Sequence, residues 1–445
     1  MSKVLKFGGA SVKDAKAIRN MVSIVQSYDG PLFIVVSAIG KTTNALEKLW
    51  TAYIHREQDE VKKVLNDLYT FHKNIIDNLD GYGRQQILSG FKETYHQLER
   101  YLTKDPSDNI AFEYDQIVSY GELWSTNIVR GFLYYSGESA MNLDARKLIR
   151  TSDHYQEGRV DWDKTQELVL KEVEAAREFW RYDHRTTDKN LPKCLITQGF
   201  IGHTNTGMTT TLGREGSDFT AAILAWALDA QEVIIWKDVD GLLNADPKWF
   251  NKTQILKKIS YKEAIELSYL GASVIHPNTV KPLENKNIPL SIRSFIKKDH
   301  EGSSISKVGK DDKSIPSIIY KPNQILLSIS SKDYSFIFEE HISDIFSIFS
   351  KTGLKVHLMQ NSALSFSVCG IIAPSVLPVL TSEIQKKYTL KYNEQVNLLT
   401  IRHFKNLDIP ELFQNQEILI QQRSRSTLRY VLKEKKQKKP QKGLL

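Results

Sequence analysis

Lys6, Gly8 and Gly9 stand together in the opening stretch KVLKFGGASVKD (3–14), directly after a short apolar run. A glycine pair alone marks only a turn, so the lysine beside it poses the question of what a cation and bare backbone would serve there. A second cluster lies in GMTTTLGREGSDFTAAILAWALDA (207–230), where hydroxyls, glycines, Arg214, Ser217 and Asp218 precede a well-patterned helix. The free N–H groups and positive dipole end of a helix start suit an anion. Taken alone, this loop fits either a helix cap or a ligand site. No GxxxxGK[ST] pattern is present, so a Walker loop is excluded. GYGRQQ (81–86) begins like a dinucleotide fingerprint but has neither the third glycine nor a preceding strand.

The elements that would position these residues can be read from periodicity. LFIVVSAIG (32–40) repeats the opening pattern of an apolar β-branched run followed by small residues, and between the two runs Ile18, Met21, Val22 and Val25 share one helix face. This is a βαβ unit of a parallel sheet. From Thr42 to about Ile117 helical stripes take over, one with Leu46, Leu49, Trp50, Tyr53 and Ile54 and one with Val61, Val64, Leu65 and Leu68. Buried-strand patterns return at KCLITQGFIG (193–202) and EVIIW (232–236), separated by a helix carrying Phe219, Ala222, Ile223, Trp226 and Ala227. The alternation predicts an α/β fold of three αβα layers around a mainly parallel sheet over residues 1–300.

The polar, charged residues 301–316 read as a linker. Beyond it the order is strand QILLSIS, a helix over about 338–351, strands LKVHLM and ALSFSVCG, and a helix over about 374–387. That is the β-α-β-β-α-β order of a ferredoxin-like α+β module over 323–394. A shorter echo follows in VNLLTIRHF, EILIQQR and TLRYVL.

Bulk properties narrow the function class. The chain has 445 residues, enough for two or three domains, and only two cysteines, Cys194 and Cys369, each in an apolar, strand-like setting. They read as buried free thiols in a reducing compartment, and with no signal core and no long apolar run the expectation is a cytoplasmic protein with no membrane partner. The formal charge of +8 is concentrated at the carboxyl end, where nine Lys or Arg face one Glu from Arg423 onward. The tail 433–445 therefore reads as a solvated, disordered terminus, and with no aromatic residue after Tyr430 no nucleic-acid partner is expected.

Seven stretches then acquire a joint meaning: KFGGASV, VVSAIGKTTN (35–44), SYGELWST (119–126), LDAR (143–146), TTTLGREGSDFTAA (209–222), WKDVDGLLNADPK (236–248) and GASVIHP (271–277). In this order they resemble the aspartate kinases of the amino-acid kinase family, over nearly the whole first 300 residues. The resemblance implies transfer of the γ-phosphoryl group of ATP, with Mg²⁺, to the side-chain carboxylate of L-aspartate. A carboxylate of pKa roughly 4 needs no general base at neutral pH. The obstacle is repulsion between two anions, so the site should be rich in cations and N–H donors.

By the same resemblance Lys6 would stabilise the transferring phosphoryl group, Gly8 and Gly9 would let backbone approach its oxygens, and Asp218 would orient Lys6. Arg214 would grip the α-carboxylate of aspartate and Glu122 its α-ammonium, with hydroxyl contacts from Ser37, Thr43 and Ser217. Lys237, Asp238 and Lys248 would surround the ribose and phosphates, with Leu243, Ser273 and Val274 also at the nucleotide. Leu243 stands where many relatives have an aromatic residue, and Ser273 where a lysine is common. His276 is expected to pack or cap rather than titrate, since the reaction needs no base. No residue is expected to ligate the metal directly, though Asp218 would help with a Mg²⁺-bound water.

The carboxy-terminal modules resemble the paired ACT domains of this family, which bind amino acids and often dimerise. Residues 317–322 with 395–432 would form a truncated second module, and the chain would pair as a homodimer. An amino-acid effector, lysine or threonine, would bind at these modules, although His357 and Ala363 stand where lysine-sensitive relatives carry acids. Length and the lack of a downstream dinucleotide motif argue against a fused homoserine dehydrogenase. The rival readings are a kinase of the same fold acting on glutamate, acetylglutamate, carbamate or a nucleotide monophosphate, and a catalytically weakened amino-acid sensor.

Overall fold

The computed structural model describes residues 3–79, 81, 83–183, 192–272, 275–333, 335–404 and 416–435. These divide into two compact units. The first holds residues 1–242, 255–268 and 273–311, and the second holds 243–254, 269–272 and 312–445.

The first unit is built from strands β1 (Lys3–Phe7), β2 (Leu32–Val36), β3 (Ala140–Leu143), β4 (Cys194–Gln198), β5 (Ile201–His203), β6 (Thr209–Thr211), β7 (Glu232–Lys237), β8 (Lys258–Ser260), β9 (Leu290–Ser294) and β10 (Ser303–Ser306). Its helices are α1 (Ala15–Gln26), α2 (Thr42–Ile54), α3 (Gln58–Asp77), α4 (Arg84–Tyr101), α5 (Ile110–Val118), α6 (Tyr120–Tyr135), α7 (Ala145–Leu148), α8 (Trp162–Asp183), α9 (Gly216–Ala227), α10 (Tyr261–Leu270), whose last two residues fall in the second unit, and α11 (Pro277–Lys286). Eight strands form one sheet in the order β3-β4-β2-β1-β7-β9-β10-β8, and only the β9–β10 pair is antiparallel. The predicted α/β class and mainly parallel sheet are therefore present.

The central strands are mostly apolar because both sheet faces are covered, and β2 is apolar throughout. Every residue of β2 and β4 is buried. Along β1 the side chains alternate: Leu5 and Phe7 enter the large core with α1, α2, α3, α4 and α6, whereas Val4 and Lys6 turn to the other face, where α9 packs on β1, β2 and β7. Each such leucine or isoleucine contributes about 1.5–3 kcal/mol by burial, which fixes the register tightly. Helix α1 starts where Asp14 accepts the Ala17 N–H at 2.8 Å, and its predicted face of Ile18, Met21, Val22 and Val25 is buried. Both cysteines are free and buried.

Parallel pairing brings strand ends level. Phe7 lies opposite Val36 and Trp236, and Val36 lies opposite Gln198. The segments that follow β1, β2 and β4 therefore leave the same sheet edge as Lys237, the last residue of β7. Such a carboxyl edge is where ligands bind in open α/β sheets.

Residues 301–316 are not simply a linker. Ser303–Ser306 forms β10, which pairs with β8 and β9 and buries Ile305 completely. One apolar residue between serines suffices for an inserted edge segment, and the flanking charges hide that signal.

The second unit has strands β11 (Ser317–Ser331), β12 (Lys355–Asn361), β13 (Ser365–Ile371), β14 (Tyr388–Arg402), β15 (Gln416–Arg423) and β16 (Thr427–Glu434), with helices α12 (Glu339–Thr352) and α13 (Leu377–Lys387). One antiparallel sheet runs β12-β13-β11-β14-β16-β15. The segments SIIYKP and QILLSIS are a single strand with a register shift near Asn323, whose φ is 56°. The first part of β11 pairs with the last part of β14, from Ser317 opposite Arg402 to Lys321 opposite Leu398. Leu327, Ile345, Phe349, Leu380 and Ile384 form the core between the sheet and its two helices. The α+β architecture fits the expected ferredoxin-like arrangement. Among the described residues no helix is long and apolar enough to cross a membrane.

Candidate active site

A cavity of about 890 Å³ opens at the carboxyl edge of the parallel sheet, in the first unit. Its lining includes Lys6 and Gly9 after β1, Ser37 after β2, Thr43 on the first turn of α2, Glu122 on α6, Arg214, Ser217 and Asp218 around the start of α9, and Lys237 at the end of β7. Nine predicted residues thus share one space.

Its charged centre is a buried carboxylate between two lysines. Lys6 Nζ lies 2.5 Å from Asp218 Oδ1, and Lys237 Nζ lies 3.0 Å from Asp218 Oδ2. Burial alone would raise the Asp218 carboxyl, but Lys6 and Lys237 outweigh it and hold it below the ordinary carboxylate range. Asp218 stays ionised, and the array carries one net positive charge. Adjacent strands explain the geometry: Lys6 is opposite Ile235, two residues before Lys237, and α9 lays Asp218 across both.

Glu122 is the complementary feature. It is 2% exposed, which excludes a surface role for it. Its Oε1 accepts the Ala38 N–H at 3.3 Å, while its Oε2 is buried with no hydrogen-bond partner among the described residues. Burial raises its pKa to about 8, with the Ala38 N–H and Lys6 pulling the other way. A carboxylate in this state lacks a cation.

The glycine pair divides its labour. A Cβ at Gly9 would lie 2.7 Å from the Ala38 carbonyl oxygen and 2.9 Å from that of Gly40, so position 9 is reserved for glycine by the close approach of two loops. Gly40 donates its N–H to the Gly9 carbonyl at 3.0 Å, tying the loops together. At Gly8 a Cβ would meet only Lys6 Nζ, at 3.5 Å.

The wall facing these loops was not foreseen. Glu47, Trp50, Tyr114, His154, Tyr155, Gln156, Glu157, Phe200 and Thr211 also line the cavity. Tyr114 donates to Glu47 at 2.9 Å, and the buried Asp115 beside it holds Gln156 and Thr211. The signal available in sequence was an acid inside the apolar stretch FEYDQIV, since a carboxylate that lands on the buried face of a helix must have donors. The expectation of a cation-rich site needs correction: three cations, Lys6, Arg214 and Lys237, share the lining with Glu47, Glu122, Glu157, Glu215 and Asp218. Because Asp218 offsets only one of its two lysines, the cationic character is concentrated at that array.

Other predicted residues lie elsewhere. Gly8, Asp238, Leu243 and Lys248 do not line this cavity; Asp238 and Lys248 are exposed, and Leu243 and Lys248 belong to the second unit. Ser273 and Val274 lie outside the described residues. His276 caps α11, accepting the Asn278 N–H at 3.3 Å, as expected for a structural histidine. Among the described residues no group of three or more His, Cys, Asp or Glu is placed to hold a metal ion.

Comparison with known proteins adds to this geometry. The chain is 30% identical over 379 residues to aspartokinase 1, chloroplastic, of Arabidopsis thaliana, an alignment covering 82% of this chain and 62% of that protein. It is also 30% identical over 367 residues to the lysine-sensitive aspartokinase 3 of Escherichia coli (strain K12), covering 82% and 77% respectively. The crystal structure of E. coli aspartokinase III in complex with aspartate and ADP superposes with a TM-score of 0.77 at 26% identity, covering 97% of this chain and 96% of that one. The chain spans about 42% of the length of the bifunctional aspartokinase/homoserine dehydrogenases that it also matches. With the amino acid kinase family model matched over residues 1–294, two thirds of the sequence and the whole of the cavity described above, the chain belongs to that family.

Proposed function

We propose that the protein is an aspartate kinase, moving the γ-phosphoryl group of ATP to the side-chain carboxylate of L-aspartate to give 4-phospho-L-aspartate. The observation that carries this reading is the pairing, in one cavity, of the Lys6–Asp218–Lys237 array with the partnerless buried oxygen of Glu122. The first suits a phosphoryl group and the second an α-ammonium. The E. coli relative captured with aspartate and ADP supports the same pair of ligands.

In this reading the acceptor carboxylate is already ionised, attacks the γ-phosphorus in line, and ADP leaves as the bond to its bridging oxygen breaks. Lys6 and Lys237 take up the charge that spreads over the equatorial oxygens. Asp218 keeps the two ammonium groups at their separation and removes no proton. Glu122 takes the α-ammonium, Arg214 the α-carboxylate, and Ser37, Thr43 and Ser217 add hydroxyl contacts. Asp238, Leu243, Lys248, Ser273 and Val274 are assigned to the nucleotide by resemblance. Mg²⁺ would come with ATP, held by phosphate oxygens and water. The donor set fits that arrangement, because both oxygens of Asp218 are engaged by lysines.

The wider assignments are a homodimer in the cytoplasm, acting at the first step toward lysine, threonine and methionine, with lysine or threonine as effector at the second unit. Support for an effector comes from the E. coli relative, which is described as lysine-sensitive and has been crystallised with lysine. The experiment is ADP release by the purified chain with ATP and, in turn, aspartate, glutamate, acetylglutamate, carbamate and a nucleoside monophosphate. Aspartate alone is expected to support turnover; turnover only with another acceptor overturns the reading, and none at all favours a sensor. Titrating lysine and threonine into the same assay tests the effector.

A further inference from the structure

Helix α5 carries Asp115, a fully buried acid that faces no cation among the described residues and takes no part in the chemistry above. Its carboxylate is bonded by two segments, each reaching both oxygens. The Gln156 N–H lies 3.1 and 3.0 Å from its two oxygens, the Thr211 N–H donates to Oδ2 at 2.9 Å, and the Thr211 hydroxyl donates to Oδ1 at 2.7 Å. Both partners line the cavity.

The two segments form one wall. Gly158 donates its N–H to the Thr211 carbonyl at 2.8 Å, and a Cβ at Gly213 would come 3.3 Å from Glu157 Cγ. Gln156 has φ 69°, a left-handed conformation that a non-glycine residue adopts under strain, and its N–H is the group that Asp115 grips. Strain of this kind persists only where surrounding structure enforces it. Three residues beyond Thr211 stands Arg214, exposed at the cavity and with no hydrogen bond or ion pair of its own among the described residues. The direction in which it reaches is set by the backbone below it.

We propose that Asp115 is a positioning residue for the acceptor site: by clasping Gln156 to Thr211 it fixes the turn that presents Arg214, and thereby sets affinity for an α-amino-acid carboxylate. Burial holds the Asp115 pKa up at about 6 against the hydrogen bonds from Gln156 and Thr211. An acid is thus kept in a place that disfavours its charge, because an amide cannot accept from all three donors.

The inference rests on the cavity being an aspartate site. Its test is steady-state ADP release by the full chain and by Asp115→Asn and Thr211→Val, with aspartate and ATP varied separately. Loss of hydrogen bonds to a buried charge should raise the aspartate KM about tenfold or more in Asp115→Asn and about threefold in Thr211→Val. The ATP KM should stay within about twofold, a split that general loosening of the fold would not produce. Thr211→Val is nearly isosteric and carries the test alone if Asp115→Asn does not fold. Wild-type turnover with an unmoved aspartate KM in the folded variants, or equal changes in both KM values, overturns the proposal alone. No aspartate-dependent turnover by the wild type overturns it together with the functional reading.

Discussion

In the eight-stranded sheet β1, β2, β4 and β7 run the same way, and their carboxyl ends set Lys6, Ser37 and Lys237 along one edge. In the six-stranded sheet neighbours run in opposite directions, so strand ends alternate between two edges. The consequences for charge differ. In the first unit a buried acid is flanked by two lysines and another lacks a cation. In the second unit His357, at a register shift in β12, has its Nδ1 2.7 Å from Gln324 Oε1, and burial, then Lys321, Arg429 and Lys355, lower its pKa to about 4. Arg429 donates to the His357 carbonyl at 2.6 Å, and no ion pair joins Lys321 or Arg429 to an acid among the described residues. Parallel pairing concentrates chemistry; antiparallel pairing spreads its polar groups over a surface and stabilises by packing.

Substitutions can break that contrast. The largest effect is expected for Lys6→Ala, which should lower kcat by about a thousandfold or more, roughly 4 kcal/mol of barrier. A loss below about tenfold would remove Lys6 from the centre of the first unit. Next comes Glu122→Gln, expected to raise the aspartate KM about a hundredfold, as for a lost charge-assisted bond in a buried site. Because burial holds Glu122 near a pKa of about 8, it is largely protonated at neutral pH, whereas an α-ammonium requires it ionised. Wild-type kcat/KM for aspartate should therefore rise with pH up to about 8. The Gln variant should lose that rise; a rise retained would assign it to another group.

In the second unit Leu327 is 0% exposed, and Leu327→Ala should cost about 2–5 kcal/mol in denaturant unfolding. Both KM values of the folded enzyme should hold within about twofold, the range in which binding energies differ by under 0.5 kcal/mol. A selective loss of ATP affinity would overturn that expectation. The smallest effect is expected for His276→Ala, about 0.5–1 kcal/mol of stability from a lost cap with kcat unchanged. A large fall in kcat would instead give His276 a chemical role.

How much of this was legible beforehand depended on whether a signal was local. The strands at the cavity edge are short runs dominated by apolar residues, so β1, β2, β4 and β7 could be read directly. β10 could not, since Ile305 is its one apolar residue, set between serines with charges beyond the strand. Nor could the assignment of 243–254 and 269–272 to the second unit, because contacts with residues past 312 decide it. At the site, residues in the quoted motifs were found, and nine of them, five of which carry charge, meet in the cavity. For Asp115 the sequence offered an acid on a mostly apolar helix, but not its partners, because the backbone N–H groups of Gln156 and Thr211 leave no mark on residue type.

Strands β11 and β14 each run fifteen residues without a break in the chain, and they pair with each other on both sides of the shift at Asn323. The two halves of the second unit are thus laminated by shared backbone. Amide protons of β11 and β14 on either side of that shift should become protected and exposed together.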